Sequence, residues 1–258
     1  MMILVVLVIP AVVFATGTSA TSTRTDPFAR IVAPADQETT PPKTEGDAAP
    51  AGAIEPLQAD TGRWNIEFAP YAWLPTLDIK GAGKITPDDI LDNLDFFAMG
   101  VLQAEKDGSP WGFYIDTIYM DLEKKPVELQ ATIVSGYASY RLSESGPTAL
   151  LVGARYIDLD LELGSLGGNE DWADPLVGLR SGVTFTDKWS ANAFVDVGGF
   201  GIGAASKITY NMLGALNYKL NDAVSFATGY RYLYVDQAQK VDFEADIYGF
   251  FAGIRFTL

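Results

Sequence analysis

The last stretch of the chain, residues 245–258, alternates between two kinds of side chain and constrains the fold most strongly. One set is apolar up to the final residue: Tyr248, Phe250, Ala252, Ile254, Phe256 and Leu258. The other set contains Gly249, Phe251, Gly253, Arg255 and Thr257. A period of two indicates a strand with two different faces. Because the second face combines glycine with arginine, it suits a crowded polar interior, and this combination is typical of a membrane barrel.

The end of this stretch resembles the C-terminal assembly signal of bacterial outer-membrane proteins. In that signal a glycine is followed by two spacers and then by two hydrophobic residues separated by one position, which Gly253, Phe256 and Leu258 match. The chain departs from the signal at Phe251, where a polar residue is preferred, and at its last residue, which is Leu rather than Phe. The alternative is an edge strand that ends a soluble sheet.

Composition excludes several classes of function. The 258 residues include no Cys and no His, which removes disulfides, thiolate metal sites and the commonest general base. A net charge of −15 argues against nucleic-acid binding, because that binding requires a basic surface. We therefore predict no cofactor, no metal site and no catalytic residues.

Two segments precede the first strand. Residues 1–20 contain a short apolar run followed by small residues and are interpreted as a secretory signal peptide, although no Lys or Arg precedes the run. Residues 21–63 are rich in Pro, Ala and Thr and are predicted to be a disordered periplasmic linker. Residues 64–258 then form the third unit.

Alternating stretches recur throughout residues 64–258 and predict an all-β fold, an antiparallel transmembrane β-barrel of about ten strands, with eight or twelve as alternatives. Short turns are expected at 107–110, 143–147, 186–188 and 221–222. The other connections include longer loops, expected at 74–93, 162–171 and 236–242. Short turns lie at the periplasmic end of such barrels. Tyrosines near the longer loops, including Tyr119 and Tyr156, are expected to form the outer aromatic girdle.

A Gly-x-Arg unit appears four times and places each arginine on the inward face of a strand, where the glycine is expected to make room for it. Carboxylates on inward positions of other strands could pair with these arginines. We predict a lumen ionic network with the following members: Arg141, Arg155, Arg180, Arg231, Arg255, Glu67, Glu105, Asp116 and Asp196. The alternative is the solvated face of a soluble sheet.

Two acidic clusters invite a cation-binding interpretation. Residues 88–95 are expected to form a short helix capped at its start, and they lack the spacing of a calcium loop. Glu170, Asp171 and Asp174 form the second cluster. We predict a metal site at neither one.

Several phrases, among them FAPYAWLP (68–75), SPWGFYID (109–116), NEDWADPLVGLR (169–180) and GYRYLYVD (229–236), resemble a family of uncharacterised bacterial outer-membrane β-barrel proteins. In architecture these are small OmpA- and OmpW-like barrels. The resemblance implies the outer membrane of a Gram-negative cell. It also implies outer-membrane lipid, lipopolysaccharide and the barrel assembly machinery as partners, but no catalytic residues.

Three functions remain open at this point. The first is a narrow passive channel or structural membrane element, with small solutes as candidate partners. The second is an outer-membrane enzyme that works without histidine, using a carboxylate pair such as Asp171 and Asp174. The third is a soluble lipocalin-like ligand-binding barrel, which requires an apolar interior and a wet exterior. We predict that the chain is not an enzyme.

Overall fold

The fold is a closed antiparallel barrel of ten strands. The structure is a computed structural model that describes residues 62–81, 83–124, 127–143, 146–163, 166–238 and 242–258. The barrel strands are β1 (Trp64–Ile79), β3 (Leu94–Lys106), β4 (Trp111–Lys124), β5 (Val127–Arg141), β6 (Ala149–Leu163), β7 (Leu166–Thr184), β8 (Trp189–Gly198), β9 (Ile208–Lys219), β10 (Val224–Gln237) and β11 (Phe243–Thr257). A further strand, β2 (Gly83–Ile85), pairs only with the end of β1. The predicted signal peptide and residues 21–61 of the predicted linker lie outside the described residues.

Closure depends on β1, which pairs with β3 on one side and with the final strand β11 on the other. On the β11 side the register joins Glu67 to Thr257 and Tyr71 to Gly253. All other neighbours in the wall follow chain order. The prediction of an antiparallel barrel of about ten strands is therefore confirmed.

Several strands are longer than the sequence indicated. Residues 74–79 continue β1 rather than starting a loop, and the alternation of buried and half-buried residues runs through Pro75. β6 ends at Leu163 and β7 begins at Leu166, so most of the loop expected at 162–171 is strand. The connection between β8 and β9 comprises residues 199–207 and contains Phe200, whose φ is positive at 59°.

A short helix, α1 (Pro87–Asn93), confirms the expectation of a capped helix in the acidic segment. Thr86 accepts a hydrogen bond from the backbone N of Asp89, while the Asp89 side chain accepts one from the backbone N of Thr86. This reciprocal capping box satisfies two backbone donors at the helix start. Ile90 is buried against the apolar interior of the barrel. In the described residues, no helix is long and apolar enough to cross a membrane.

The outward faces of the strands carry a band of exposed large apolar side chains. On β4 these are Trp111, Phe113 and Ile115, with 56%, 54% and 41% of their surface exposed. Leu150, Val152 and Tyr156 continue the band on β6, and Tyr230 and Phe250 continue it on β10 and β11. The path from Trp111 to Tyr119 rises about 20 Å at about 3.4 Å per residue and a tilt of about 40°, close to the roughly 25 Å apolar band of membrane barrels.

Beyond Tyr119 on β4 and Tyr156 on β6, the polarity of both faces of the strands reverses. Outward positions become acidic, with Asp121 following Tyr119 on β4 and Asp158 and Asp160 following Tyr156 on β6. Inward positions at the same end become apolar and buried: Ile118, Met120, Leu122, Leu129, Ile133, Ile157 and Leu159. This end of β4–β6 therefore has the distribution of a water-soluble barrel, while the other end has that of a membrane barrel.

Candidate functional site: the lumen network

All nine residues of the predicted network occupy inward positions, and each lies within 4 Å of an oppositely charged member. Arg155, Arg180, Arg231, Arg255, Glu105, Asp116 and Asp196 are buried. Glu67 and Arg141 are half-buried and lie near the end of the barrel that carries the short turns. That these contacts form a functional site remains a prediction.

The first deep pair joins β10 to β4 through a tyrosine on β1. Arg231 Nη1 lies 2.7 Å from Asp116 Oδ2 and also donates to Tyr71 Oη at 2.7 Å. The Tyr71 hydroxyl in turn donates to Asp116 Oδ1 at 2.8 Å. The indole of Trp73 lies 5.1 Å from the Arg231 guanidinium, which adds a cation–π contact. The two charges therefore share a network of charge-assisted hydrogen bonds, while Nη2 of Arg231 is buried without a hydrogen-bond partner in the described residues.

The second deep pair joins β6 to β8. Arg155 Nη2 donates to both carboxylate oxygens of Asp196 at 2.9 Å. Its Nε donates to Ser135 Oγ at 3.1 Å and its Nη1 to Thr209 Oγ1 at 2.8 Å. Arg155 is fully buried, so each of these contacts replaces a hydrogen bond to water.

Asn211 on β9 links the two deep pairs. Its Nδ2 donates to Asp196 Oδ2 at 3.0 Å, and its Oδ1 accepts from Arg231 Nε at 2.9 Å. Tyr137 donates to the same Asp196 oxygen at 3.0 Å. The four deep charges thus belong to one hydrogen-bonded network that spans the lumen.

A separate group of charges lies nearer the short turns. Glu105 on β3 accepts from Arg180 through Oε1 and from Arg141 through Oε2, the latter at 2.8 Å. Arg255 Nη1 lies 3.8 Å from Glu67 Oε1, which is long for a hydrogen bond. Glu67 and Arg255 are therefore the loosest of the pairs.

Aromatic side chains lie one inward position nearer the short turns than the deep network. The rings of Tyr114, Tyr137 and Phe194 are mutually in contact, with centroids 5.5 to 5.8 Å apart. On the other side of the network the inward positions include apolar side chains such as Leu233, which is fully buried, and Trp73. The deep charges are thus enclosed between two apolar layers.

A cavity of about 260 Å³ opens at the end with the short turns. Its wall includes Glu67, Gln103, Asn217 and Arg255, and its rim includes Lys219. Lys219 Nζ lies 2.6 Å from Asp222 Oδ1 in the turn after β9, and this hydrogen bond lowers the pKa of the Asp222 carboxyl. We call this cavity the inner vestibule.

Two glycines of the Gly-x-Arg units, Gly153 and Gly229, lie against the backbone of a neighbouring strand. A Cβ at Gly153 would lie 1.9 Å from the backbone O of Gly136, and one at Gly229 would lie 2.0 Å from the backbone O of Gly214. The space beside Gly153 is therefore taken by the backbone of the neighbouring strand rather than by an arginine. Glycine permits this close approach of two strands.

Sequence reasoning missed the uncharged members of the network. Tyr71 and Asn211 each hydrogen-bond two of the deep charges, and Ser135 and Thr209 each hydrogen-bond one. All four lie on inward positions of their strands, so the same two-residue alternation that places the arginines inward could have identified them. Nothing in the local sequence distinguishes them from other inward polar residues.

The two aspartates of the second acidic cluster lie on opposite faces of β7. Asp171 is exposed on the outer face of β7, whereas Asp174 is fully buried in the lumen, so the two carboxylates cannot act as a pair. Asp174 instead accepts from the backbone N and the hydroxyl of Ser206 at 2.6 and 2.8 Å. Across the described residues, no group of three or more Asp, Glu, His or Cys could hold a metal ion.

The residues of the resembled assembly signal lie on both faces of β11. Gly253 is buried in the lumen, whereas Phe256 and Leu258 are exposed. The backbone N of Leu258 donates to the carbonyl of Ile66, which ties the last residue to β1. Their role in assembly stays a prediction.

Comparisons with known proteins give weak structural resemblances. No family model matches the chain, and no curated protein matches it. Neisserial surface protein A has 14% identity and a TM-score of 0.35, over 76% of this chain and 97% of the other. The Pseudomonas putida toluene transporter TodX has 9% identity and a TM-score of 0.24, over 75% and 89%. At these scores the assignment of the barrel rests on the strand pairing described above.

Proposed function

We propose that the chain is an integral barrel of the Gram-negative outer membrane whose lumen is closed, and that it acts as a structural membrane element rather than as an open pore. The observation that carries this proposal is the Arg155–Asp196 pair, both of whose side chains have no exposed surface. A water-filled channel would leave such charges solvated.

Membrane insertion is supported by the outward faces of the strands. A soluble barrel would expose few contiguous large apolar side chains, because patches of more than a few hundred Å² are rare on soluble monomers. Here the apolar band includes Trp111, Phe113, Val152 and Phe250, the last with 72% of its surface exposed. Lipid contact explains this exposure, and lipopolysaccharide and the assembly machinery follow as proposed partners.

Closure is supported by two successive obstacles along the lumen. The deep ionic network is fully hydrogen-bonded around Arg155, and the apolar layer beyond it includes Leu233 and Val235, with 0% and 2% exposure. An ion would have to displace both layers, and burying an ion among apolar groups is unfavourable by several kcal/mol or more.

Planar-bilayer recording of the refolded chain tests this function. A closed barrel should give no sustained conductance steps in potassium chloride, although the protein folds and migrates heat-modifiably on gels. A steady conductance in the range of large porins would overturn closure. Recovery of the folded protein without detergent would overturn membrane insertion.

The narrow-channel alternative is supported by the inner vestibule, which gives solutes access to one end of the lumen. A channel would require the deep network and the apolar layer to rearrange together. Small, voltage-dependent conductance steps in the same recordings would favour this second function.

A further inference from the structure

The inner vestibule contains buried polar atoms that no protein group satisfies. Among the described residues, Glu67 Oε2, Gln103 Oε1 and Arg255 Nε have no hydrogen-bond partner. Gln103 has only 3% of its surface exposed and Arg255 has 7%. A buried polar atom without a partner costs about 1–3 kcal/mol, so a molecule in the vestibule that reaches these atoms after a small movement of the three side chains gains this free energy.

The two acceptors lie side by side. Glu67 and Gln103 are direct partners in the register of β1 with β3. The amide nitrogen of Gln103 donates to Glu105 Oε1 at 3.0 Å, which fixes the amide and leaves its oxygen available. A carboxylate oxygen next to an amide oxygen suits a donor that carries positive charge, such as an ammonium group.

The donor lies on the next strand of the wall. Arg255 on β11 keeps only a 3.8 Å approach to Glu67 Oε1, and its Nε is unpaired. A guanidinium N–H in this position suits a carboxylate or another anion. The vestibule thus presents an acceptor pair and a cationic donor at neighbouring positions.

We propose that the inner vestibule binds a small zwitterion, a molecule that carries both an ammonium and a carboxylate group. The ammonium is held by Glu67 Oε2 and Gln103 Oε1, and the carboxylate is held by Arg255 Nε. In the wall Glu67 is opposed by Arg255, and Glu105 by Arg141 and Arg180; the rim carries Lys188 and Lys219 beside Asp187 and Asp222, so charges of both signs surround the vestibule. An ion of one sign would leave an uncompensated charge in a half-enclosed site, whereas a zwitterion leaves none.

The size of the vestibule agrees with a small solute. Its volume of about 260 Å³ lies below the roughly 300–1,000 Å³ of pockets for drug-sized ligands. Since the lumen beyond the aromatic layer is filled, the solute enters and leaves through the end with the short turns. Failure of binding and failure of the closed lumen are distinguishable, because calorimetry measures binding and bilayer recording measures conductance.

Isothermal titration calorimetry of the full-length refolded protein in detergent tests the proposal. The probes are glycine and β-alanine as zwitterions, ethylammonium chloride as a cation and sodium acetate as an anion. We expect at least one zwitterion to bind with a dissociation constant in the millimolar range. Removing one of its two charged contacts should weaken binding by about tenfold or more, so ethylammonium and acetate should bind correspondingly less tightly.

Glu67→Gln should weaken binding of the zwitterion by about tenfold or more, because the ammonium loses its charged partner. Glu244→Gln is the matched control, since Glu244 pairs with Lys80 at the opposite end of the barrel. It should leave binding unchanged. If Glu67→Gln does not fold, as judged by heat-modifiable migration, Arg255→Lys provides the second variant and should reduce binding of the zwitterion.

Three outcomes would overturn the proposal. The first is that no probe binds up to its practical solubility, which means that the vestibule holds only water. The second is that acetate or ethylammonium binds as tightly as the zwitterion, which means that the site recognises one sign of charge. The third is that Glu244→Gln reduces binding as much as Glu67→Gln does.

Discussion

Arg231 on β10 and Asp116 on β4 meet across the lumen, with Nη1 2.7 Å from Oδ2, although β11, β1 and β3 separate their strands along the wall. Arg231 has only 2% of its surface exposed. A contact between distant strands requires the side chains to cross the interior, so this pair fills the lumen rather than lining it. The shared hydrogen bonds to Tyr71 hold both groups in place.

Arg231→Ala should destabilise the barrel by about 3–5 kcal/mol, because it leaves the Asp116 carboxylate buried without its cation. Urea unfolding in lipid vesicles measures this loss. The variant should nevertheless remain non-conducting in planar bilayers, since Leu233 and Val235 still close the lumen beyond the network.

Arg255→Ala is the control for that change. Its partner Glu67 lies 3.8 Å away and keeps 17% of its side chain exposed beside the vestibule, so removing this looser contact should cost less stability than removing Arg231. An unchanged stability of Arg231→Ala would contradict the crossing pair. Conductance steps from Arg231→Ala would show that the apolar layer of Leu233 and Val235 does not seal the lumen.

Arg155→Lys should destabilise the barrel by about 2 kcal/mol even though the charge is kept. The guanidinium uses three nitrogens to reach Ser135, Thr209 and Asp196, and a single ammonium cannot reproduce this fork. Arg141→Lys provides the comparison, because Arg141 is partly exposed and contacts Glu105 through one nitrogen. Its loss should be about 1 kcal/mol or less. Equal losses in urea unfolding would contradict the assigned geometry.

The inward charges could be predicted because a period of two and the repeated Gly-x-Arg unit fix the parity of each strand. Their partners followed from the same parity: Glu105 and Asp116 lie where the alternation of β3 and β4 indicated. Which arginine meets which carboxylate could not be predicted. Strands β10 and β4 are distant in the wall, so their contact depends on barrel diameter and stagger rather than on local sequence.

The apolar half of the lumen was missed because the polarity of the faces reverses along single strands. Residues beyond Tyr156 on β6 read Ile157, Asp158, Leu159 and Asp160, which alternate correctly but in the opposite sense to a membrane strand. A loop was likewise predicted from residue 74 onwards, yet Pro75 lies within β1 opposite Gly249. A rule that assumes one polarity for the whole strand cannot find the point where a barrel leaves the bilayer.

Val152→Arg and Asp160→Arg, both on β6, test where along this strand the barrel leaves the bilayer. Both residues face outward on β6, and Val152 lies within the apolar band while Asp160 lies beyond Tyr156. An arginine in the band should cost about 2–4 kcal/mol near the bilayer midplane, whereas one beyond the interface should cost about 0–1 kcal/mol. Folding yield into vesicles, followed by heat-modifiable migration, measures both. Equal tolerance would contradict the proposed membrane boundary.

Gly153→Ala should destabilise the barrel, whereas Gly136→Ala on the neighbouring strand should not. A Cβ at Gly153 would lie 1.9 Å from the backbone O of Gly136, so the β5–β6 ladder would have to separate locally. Overpacking of this kind costs about 1–3 kcal/mol. A Cβ at Gly136 meets nothing within 4 Å. That substitution should therefore be neutral, or stabilising by up to about 1 kcal/mol through reduced freedom of the unfolded chain. Urea unfolding compares the two variants, and a Gly153→Ala protein as stable as Gly136→Ala would rule out the close approach of β5 and β6.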